Sequence, residues 1–277
     1  MVVTLGVDAG NYKTKAVNLE NQVSFYSDVG EYRERNLVQS FGPDDMVVEY
    51  CGRRYFAGSL AKYESELGGT VMGNSKAHGD AALRVLLAIC RHSPGGGKFN
   101  VVVGQPVSMY SDEEKSKIES ALKGRHEITV NDQRHCFSVE KVGVAPEGAA
   151  SLWSDPADGL LRILDIGSAT INAATIIDRR YIDKESTTIN IGMNTISTSD
   201  KDTIAEGIVR QVLKKWNRND LIRVTGGAAY EMVKPLSRHL TRVEPLVPVL
   251  GSTKLHPAYA NAVGFYRIAR GVLGGAG

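Results

Sequence analysis

An acid-glycine turn between two apolar strands occurs twice in this chain, and the repeat restricts the fold more than any other feature. The first copy is Leu5-Gly6-Val7-Asp8-Ala9-Gly10-Asn11-Tyr12-Lys13-Thr14-Lys15-Ala16-Val17. The second is Arg162-Ile163-Leu164-Asp165-Ile166-Gly167-Ser168-Ala169-Thr170-Ile171-Asn172. Each continues through a polar turn into a third extended run, Val23 to Tyr26 after Asn21-Gln22 and Tyr181 to Ile191 after Asp178-Arg179-Arg180. A single Asp-x-Gly is most simply a β-turn with a solvated carboxylate. Two copies in the same strand context predict two like domains facing each other. Two carboxylates and two turns would then converge on one ligand.

The chemistry of the turn suggests which ligand. A glycine turn offers backbone N–H groups to an anion, and Lys15 adds an ammonium, so a polyphosphate is the natural occupant. Asp8 repels bare phosphate and needs a cation in between, most simply Mg2+ with its water shell.

Composition narrows the alternatives. The 277 residues suffice for two domains of ordinary size. A hydrophobic content of 42% with 23% charged residues is that of a soluble globular protein. The net charge of +2 provides no strong field for nucleic acid. Arg53-Arg54, Arg179-Arg180 and Lys214-Lys215 are scattered and read as solvated surface. Cys51, Cys90 and Cys136 have neither metal nor disulfide spacing, which fits a reducing cytoplasm. No apolar run reaches the length of a membrane span, and the N-terminus reads as a strand rather than a signal peptide. The expectation is a cytoplasmic protein with no membrane partner.

Between the repeats, residues 28–75 read as an insertion containing a hairpin, Met46–Tyr50 and Arg53–Ala57 around Cys51-Gly52. Residues 76–91 have helical periodicity. Ser93 to Lys98 is read as a loop, since Gly97-Lys98 lacks the remaining spacing of a phosphate-binding P-loop. Asn100 to Gly104 predicts a buried strand, and Ser111-Asp112-Glu113-Glu114 opens a helix to about Lys123. Two strands follow around Asn131-Asp132-Gln133, where His126, His135 and Cys136 read as ordinary strand residues. Pro146 is then expected to start a helix with Glu147 in its first turn. Beyond the second repeat, Ser199 or Asp200 caps a helix to about Trp216. Leu221 to Thr225 forms a strand ending in Gly226-Gly227, where the backbone can approach a flat ligand. A last helix starts at Pro257, and the Gly-Gly-Ala-Gly tail is expected to fray.

Taken in order, Asp8-x-Gly10 with Lys15, Pro146-Glu147-Gly148, Asp165-x-Gly167, Gly226-Gly227 and Ala258-Tyr259-Ala260-Asn261-Ala262-Val263-Gly264 resemble the actin-like ATPases over nearly the whole chain. The bacterial plasmid-segregation actins of the ParM and AlfA type are the nearest likeness. The resemblance implies an α/β fold, the duplicated, ribonuclease H-like two-domain actin fold with a nucleotide cleft. Domain I would comprise residues 1–145 and 257–277, with subdomain IB at about 28–75, and domain II residues 146–256. Subdomain IIB would be reduced or missing, because only one helix and one strand fit between Gly192 and Gly226.

By the same resemblance, Asp8 and Asp165 hold Mg2+ through water. Gly10, Asn11, Tyr12 and Lys15 contact the phosphates of ATP or GTP from one side, and Gly167, Ser168, Ala169 and Thr170 from the other. Gly192, Gly226 and Gly227 also belong to the nucleotide site, with Glu206 and Arg210 walling the base. Glu147 positions or activates the attacking water, making Glu147, Asp165 and Asp8 the catalytic set. Ser168 departs from the glycine or aspartate found in many relatives. The implied function is a nucleotide-hydrolysing filament that segregates plasmid DNA through a small DNA-binding adaptor on the plasmid centromere, without touching nucleic acid itself. A small-molecule kinase or a non-filamentous scaffold ATPase of the same fold is the alternative.

Overall fold

The computed structural model describes residues 1–37, 42–67 and 75–273. The expected fraying of the last four residues, and parts of the 28–75 insertion, lie outside them. The chain divides into two compact units. The first comprises Met1–Val103, Ser111–Val144 and Ala269–Gly277; the second comprises Gly104–Tyr110 and Ala145–Ile268.

The first unit contains β1 (Val2–Ala9), β2 (Lys13–Val17), β3 (Gln22–Tyr26), β4 (Val29–Glu31), β5 (Asp45–Tyr50) and β6 (Arg53–Gly58). Helices α1 (Ser59–Glu64) and α2 (Gly79–His92) follow, then β7 (Gly97–Gln105), α3 (Asp112–Leu122), β8 (Gly124–Val130) and β9 (Gln133–Pro146). Its sheet runs in the order β3-β2-β1-β7-β9-β8-β5-β6-β4. The strongly apolar α2 packs Val85, Leu86 and Ile89 against Leu5, Val7, Phe25, Val101 and Val103. Burying each such side chain is worth roughly 1.5–3 kcal/mol. The His78 side chain caps the start of α2 by accepting from the Ala81 N–H, and the Arg91 cation complements the dipole at its end. The expected capping of α3 by Ser111 is present. The hairpin turns at Cys51-Gly52 and Asn131-Asp132 all have positive φ, 50° and 72° in the first and 48° and 64° in the second. That handedness matches the twist of the strands they join.

The second unit contains β10 (Leu160–Ile166), β11 (Ile171–Ile177), β12 (Arg180–Tyr181), β13 (Thr187–Ile189), α4 (Lys201–Val212) and β14 (Leu221–Thr225). It continues with α5 (Ala229–Leu236), β15 (Arg242–Pro245), β16 (Val249–Leu250), β17 (Thr253–Lys254) and α6 (Ala260–Val272), the last four residues of which belong to the first unit. The sheet order is β12-β11-β10-β14-β15, with β13 also on β11. Leu164 and Ile166 lie in one core with α4 and α5, while Leu161 and Ile163 lie in another with Leu152, Leu246 and Ala260. This two-sided burial is why β10 reads as a largely apolar run.

The repeat is topological as well as sequential. β1 pairs antiparallel with β2 and parallel with β7; β10 pairs antiparallel with β11 and parallel with β14. Asp8 sits opposite Lys15, and Asp165 sits opposite Asn172, at the same register position of each hairpin.

Three local expectations are corrected. The run from Tyr181 to Ile191 is not one strand: Asp183–Glu185 form a 3-10 turn between β12 and β13. Glu185 is drawn inward there by the buried Arg162, and the Ser186 hydroxyl bonds the Ile182 carbonyl. Pro146 ends β9 rather than starting a helix. Gly148 then adopts φ 75°, and a 3-10 helix begins only at Ala149. Lastly, β7 begins at Gly97, inside the expected loop. Residues of the final helix up to Ile268 cluster with the second unit. A Cβ on Gly264 would lie 2.0 Å from the Ala150 carbonyl oxygen, so α6 rests directly on the 3-10 helix Ala149–Ser154. Between Gly192 and Gly226 the helix and strand are α4 and β14 alone among the described residues.

Candidate functional site

In the first unit, β1 delivers Asp8 to the mouth of its turn, 6% exposed. Lys15 returns along β2 and places its ammonium 3.0 Å from the Asp8 carboxylate. The same ammonium donates to the Lys13 carbonyl at 3.1 Å. Gly10 is required here, since a Cβ would stand 2.8 Å from the Lys13 carbonyl oxygen. The Ala9, Gly10 and Tyr12 carbonyls are also turned inward onto donors. The Gly10 carbonyl accepts from the Ser27 hydroxyl at 2.6 Å, and the Tyr12 carbonyl from the Ser27 N–H at 3.1 Å. The Ala9 carbonyl accepts from the Lys76 ammonium at 2.9 Å. A turn whose oxygens are engaged in this way has N–H groups left to offer, which suits an anion. The Tyr12 ring is partly exposed and meets Tyr26 edge-on, with centroids 5.4 Å apart. A bond from the Tyr26 side chain is the main reason the Tyr12 hydroxyl titrates above its ordinary range.

The second unit builds a like turn by other means. Asp165 is 8% exposed, and the Asn261 side-chain amide donates to its carboxylate at 2.9 Å. The register position of Lys15 is taken by the neutral Asn172, whose oxygen accepts from Thr188. The Gly167 carbonyl accepts from the Met193 N–H at 3.0 Å, and the Ser168 carbonyl from the Asn194 N–H at 2.8 Å. Backbone amides thus do in this turn what Ser27, Lys15 and Lys76 do in the first. Gly167 folds back onto Thr170, with N–H to carbonyl oxygen 3.1 Å. A Cβ on Gly192 would stand 2.5 Å from Ser168 and Ala169 backbone atoms. Gly226, at φ 94°, would place one 2.3 Å from the Ile166 carbonyl oxygen. A Cβ on Gly227 would meet nothing within 4 Å, so that residue borders open space.

Glu147 is 9% exposed. Its N–H bonds the Gln105 carbonyl, and its side chain lies against Gly104, where a Cβ would approach within 2.8 Å of Cγ. The next residue, Gly148, donates its N–H to Asn261 at 3.1 Å and would bring a Cβ to 3.8 Å from that of Asp165. One asparagine of α6 therefore ties the Asp165 carboxylate to the backbone that follows Glu147.

Asp8, Gly10, Asn11, Tyr12 and Lys15 are gathered at the first turn. Glu147, Asp165, the Gly167–Thr170 turn, Gly192 and Gly226 are contiguous in the second unit. Glu206 and Arg210 pair with each other on an exposed part of α4. Lys76, Ser27 and Asn261 were not among the expected site residues. Asn261 had a sequence signal as the one amide in an otherwise small and apolar run, whereas Lys76 had none. Among the described residues, no group of three or more His, Cys, Asp or Glu side chains could hold a metal ion. One carboxylate per turn fits Mg2+ held through its own water shell. No helix of the described residues is long and apolar enough to cross a membrane.

Two α/β units, each with an acid-glycine turn at the end of its first strand, define an actin-like fold. The family model of the actin-like proteins' N-terminal domain matches residues 6–149, more than half of the chain, and the chain belongs to that family. Among solved structures it is similar to an AlfA filament bound to AMPPNP, at 24% identity over 97% of each chain with a TM-score of 0.76. It is likewise similar to the AlfA filament of B. subtilis plasmid pLS32, at 24% identity, 95% and 97% coverage and a TM-score of 0.77. The apo psk41 ParM protein matches at 18% identity over 98% of each chain with a TM-score of 0.76. At these identities the likeness is one of fold. Comparison with curated proteins finds no match.

Proposed function

We propose that this chain is a filament-forming ATPase, with GTP as the other candidate substrate, that moves plasmid DNA. Both acid-glycine turns serve one Mg2+-nucleotide. Asp8 and Asp165 hold the ion through water, and the amides of residues 10–12 and of the Gly167–Thr170 turn beyond Gly167, with Lys15, receive the phosphates. When bound, Mg2+ neutralises phosphate charge. Gly192, Gly226 and Gly227 admit the nucleoside, with Glu206 and Arg210 at the base. The buried Glu147 orients the attacking water and accepts its proton as the γ-phosphate leaves. Phosphoryl transfer asks mainly for positioning and charge neutralisation, and these residues provide both.

The observation that carries this reading is the inward engagement of the turn oxygens in both units, which leaves two N–H-bearing turns beside two buried carboxylates. The AlfA structures named above are filaments, one of them with AMPPNP, which supports self-association and nucleotide use here. Net charge of +2 favours an indirect link to DNA through a small adaptor on the plasmid centromere. The working compartment is the cytoplasm. Light scattering and electron microscopy of the purified protein test the proposal. Mg2+-ATP or Mg2+-GTP should produce filaments at micromolar protein, and a protein that stays monomeric with both would overturn it.

A further inference from the structure

Lys76 lies just before α2, outside every motif of the sequence, and is 9% exposed. Its ammonium reaches the Asp8 turn, donating to the Ala9 carbonyl at 2.9 Å and to the Asn11 side-chain oxygen at 3.0 Å. A lysine ammonium has three donors and no acceptor. The Asn11 atom that faces it must therefore be the oxygen, and the amide nitrogen must point the other way. An asparagine with a free choice could turn either end outward.

We infer that Lys76 is a positioning residue that fixes the amide of Asn11, so that the first turn presents the Asn11 NH2 group to the phosphates of the bound nucleotide. The inference rests on the nucleotide reading above and adds a selective element to it. Lys76 holds the acceptor end of Asn11 and the acceptor end of the Ala9 peptide on the protein side. Asn11 then faces the ligand with the donor end of its amide. Asn11 is half-buried, so its outward end remains within reach of a ligand.

Substituting Asn11 separates this role from a structural one. In Asn11→Asp an oxygen still accepts from Lys76 and gains a charge, so the fold should melt no lower than wild type. The outward end, however, becomes an acceptor. Affinity for Mg2+-ADP and Mg2+-AMPPNP, titrated on the full chain, should fall about tenfold or more, the equivalent of one good hydrogen bond. Lys76→Met should cost a similar factor in wild type and less than about twofold in an Asn11→Ala background, because coupled residues are not additive. Full affinity in Asn11→Asp, or a Lys76→Met effect undiminished by Asn11→Ala, would overturn the inference. Asp8→Asn separates the two levels. If it abolishes binding while Asn11→Asp retains it, only the role of Lys76 falls; if Asp8→Asn itself binds normally, the nucleotide reading falls and takes the inference with it.

Discussion

Asn261→Ala removes a bridge whose energetic parts can be counted. The side chain donates 2.9 Å to the Asp165 carboxylate and accepts 3.1 Å from the Gly148 N–H, with all the atoms buried. A hydrogen bond to a charged group contributes about 1.5–3 kcal/mol, and a buried amide left without its acceptor costs about 1–3 kcal/mol. Partial access of water to the new space lowers the sum, so a loss of about 2–5 kcal/mol is expected. Against a total stability of about 5–15 kcal/mol for a protein domain, that is a large fraction. Urea denaturation should show the midpoint falling without a change in slope. Because the same amide orients Asp165 and the backbone after Glu147, nucleotide turnover should fall further than the stability loss explains at temperatures where the variant is folded. An Asn261→Ala protein within about 0.5 kcal/mol of wild type, the range of an ordinary surface substitution, would refute the reasoning.

Glu147→Ala should keep nucleotide binding and lose roughly 100- to 10,000-fold in hydrolysis, the usual worth of a placed general base; phosphate-release assays check it. Gly226→Ala should destabilise by about 3 kcal/mol, measured by the same denaturation, since it adds a Cβ 2.3 Å from the Ile166 carbonyl oxygen at φ 94°. Stability should also decline in mild acid. Burial is the first cause that lowers the affinity of His78 and of His92 for protons, with the Arg84 cation adding to the effect at His78. In the unfolded chain both titrate near the ordinary histidine value of about 6.5. Below that value the unfolded state therefore binds more protons than the native state, and stability falls with pH until the native histidines titrate too. Both act as acceptors or donors in fixed bonds, His78 to the Ala81 N–H and His92 to Asn18 and Ser93. A His92→Gln protein should show a shallower decline between pH 7 and 5 in denaturation midpoints.

The repeat was legible because its information is local. Strand, acid, glycine and return strand lie within about a dozen residues, and the register that sets Asp8 opposite Lys15 follows from the turn itself. The Cys51-Gly52 and Asn131-Asp132 turns were readable for the same reason. Where the sequence misled, a distant partner decided. Tyr181 to Ile191 has strand composition, but Arg162, buried on β10, binds Glu185 and Asp220 and breaks the run into two short pieces. Pro146 is a good helix opener, yet Gly148 turns left-handed there to fit beside Asn172 and Asp165. Lys76 could not have been found, because its target lies 65 residues earlier in the chain. Asn261 was visible as part of a family motif, but its role depends on Asp165, 96 residues away.

Calorimetric titration of Mg2+-AMPPNP into wild type, Asp8→Asn and Asp165→Asn tests most directly whether the two turns share one ligand. One nucleotide per chain is expected, with either substitution alone destroying most of the affinity. Two independent sites per chain, or a full-affinity site surviving the loss of either carboxylate, would contradict it.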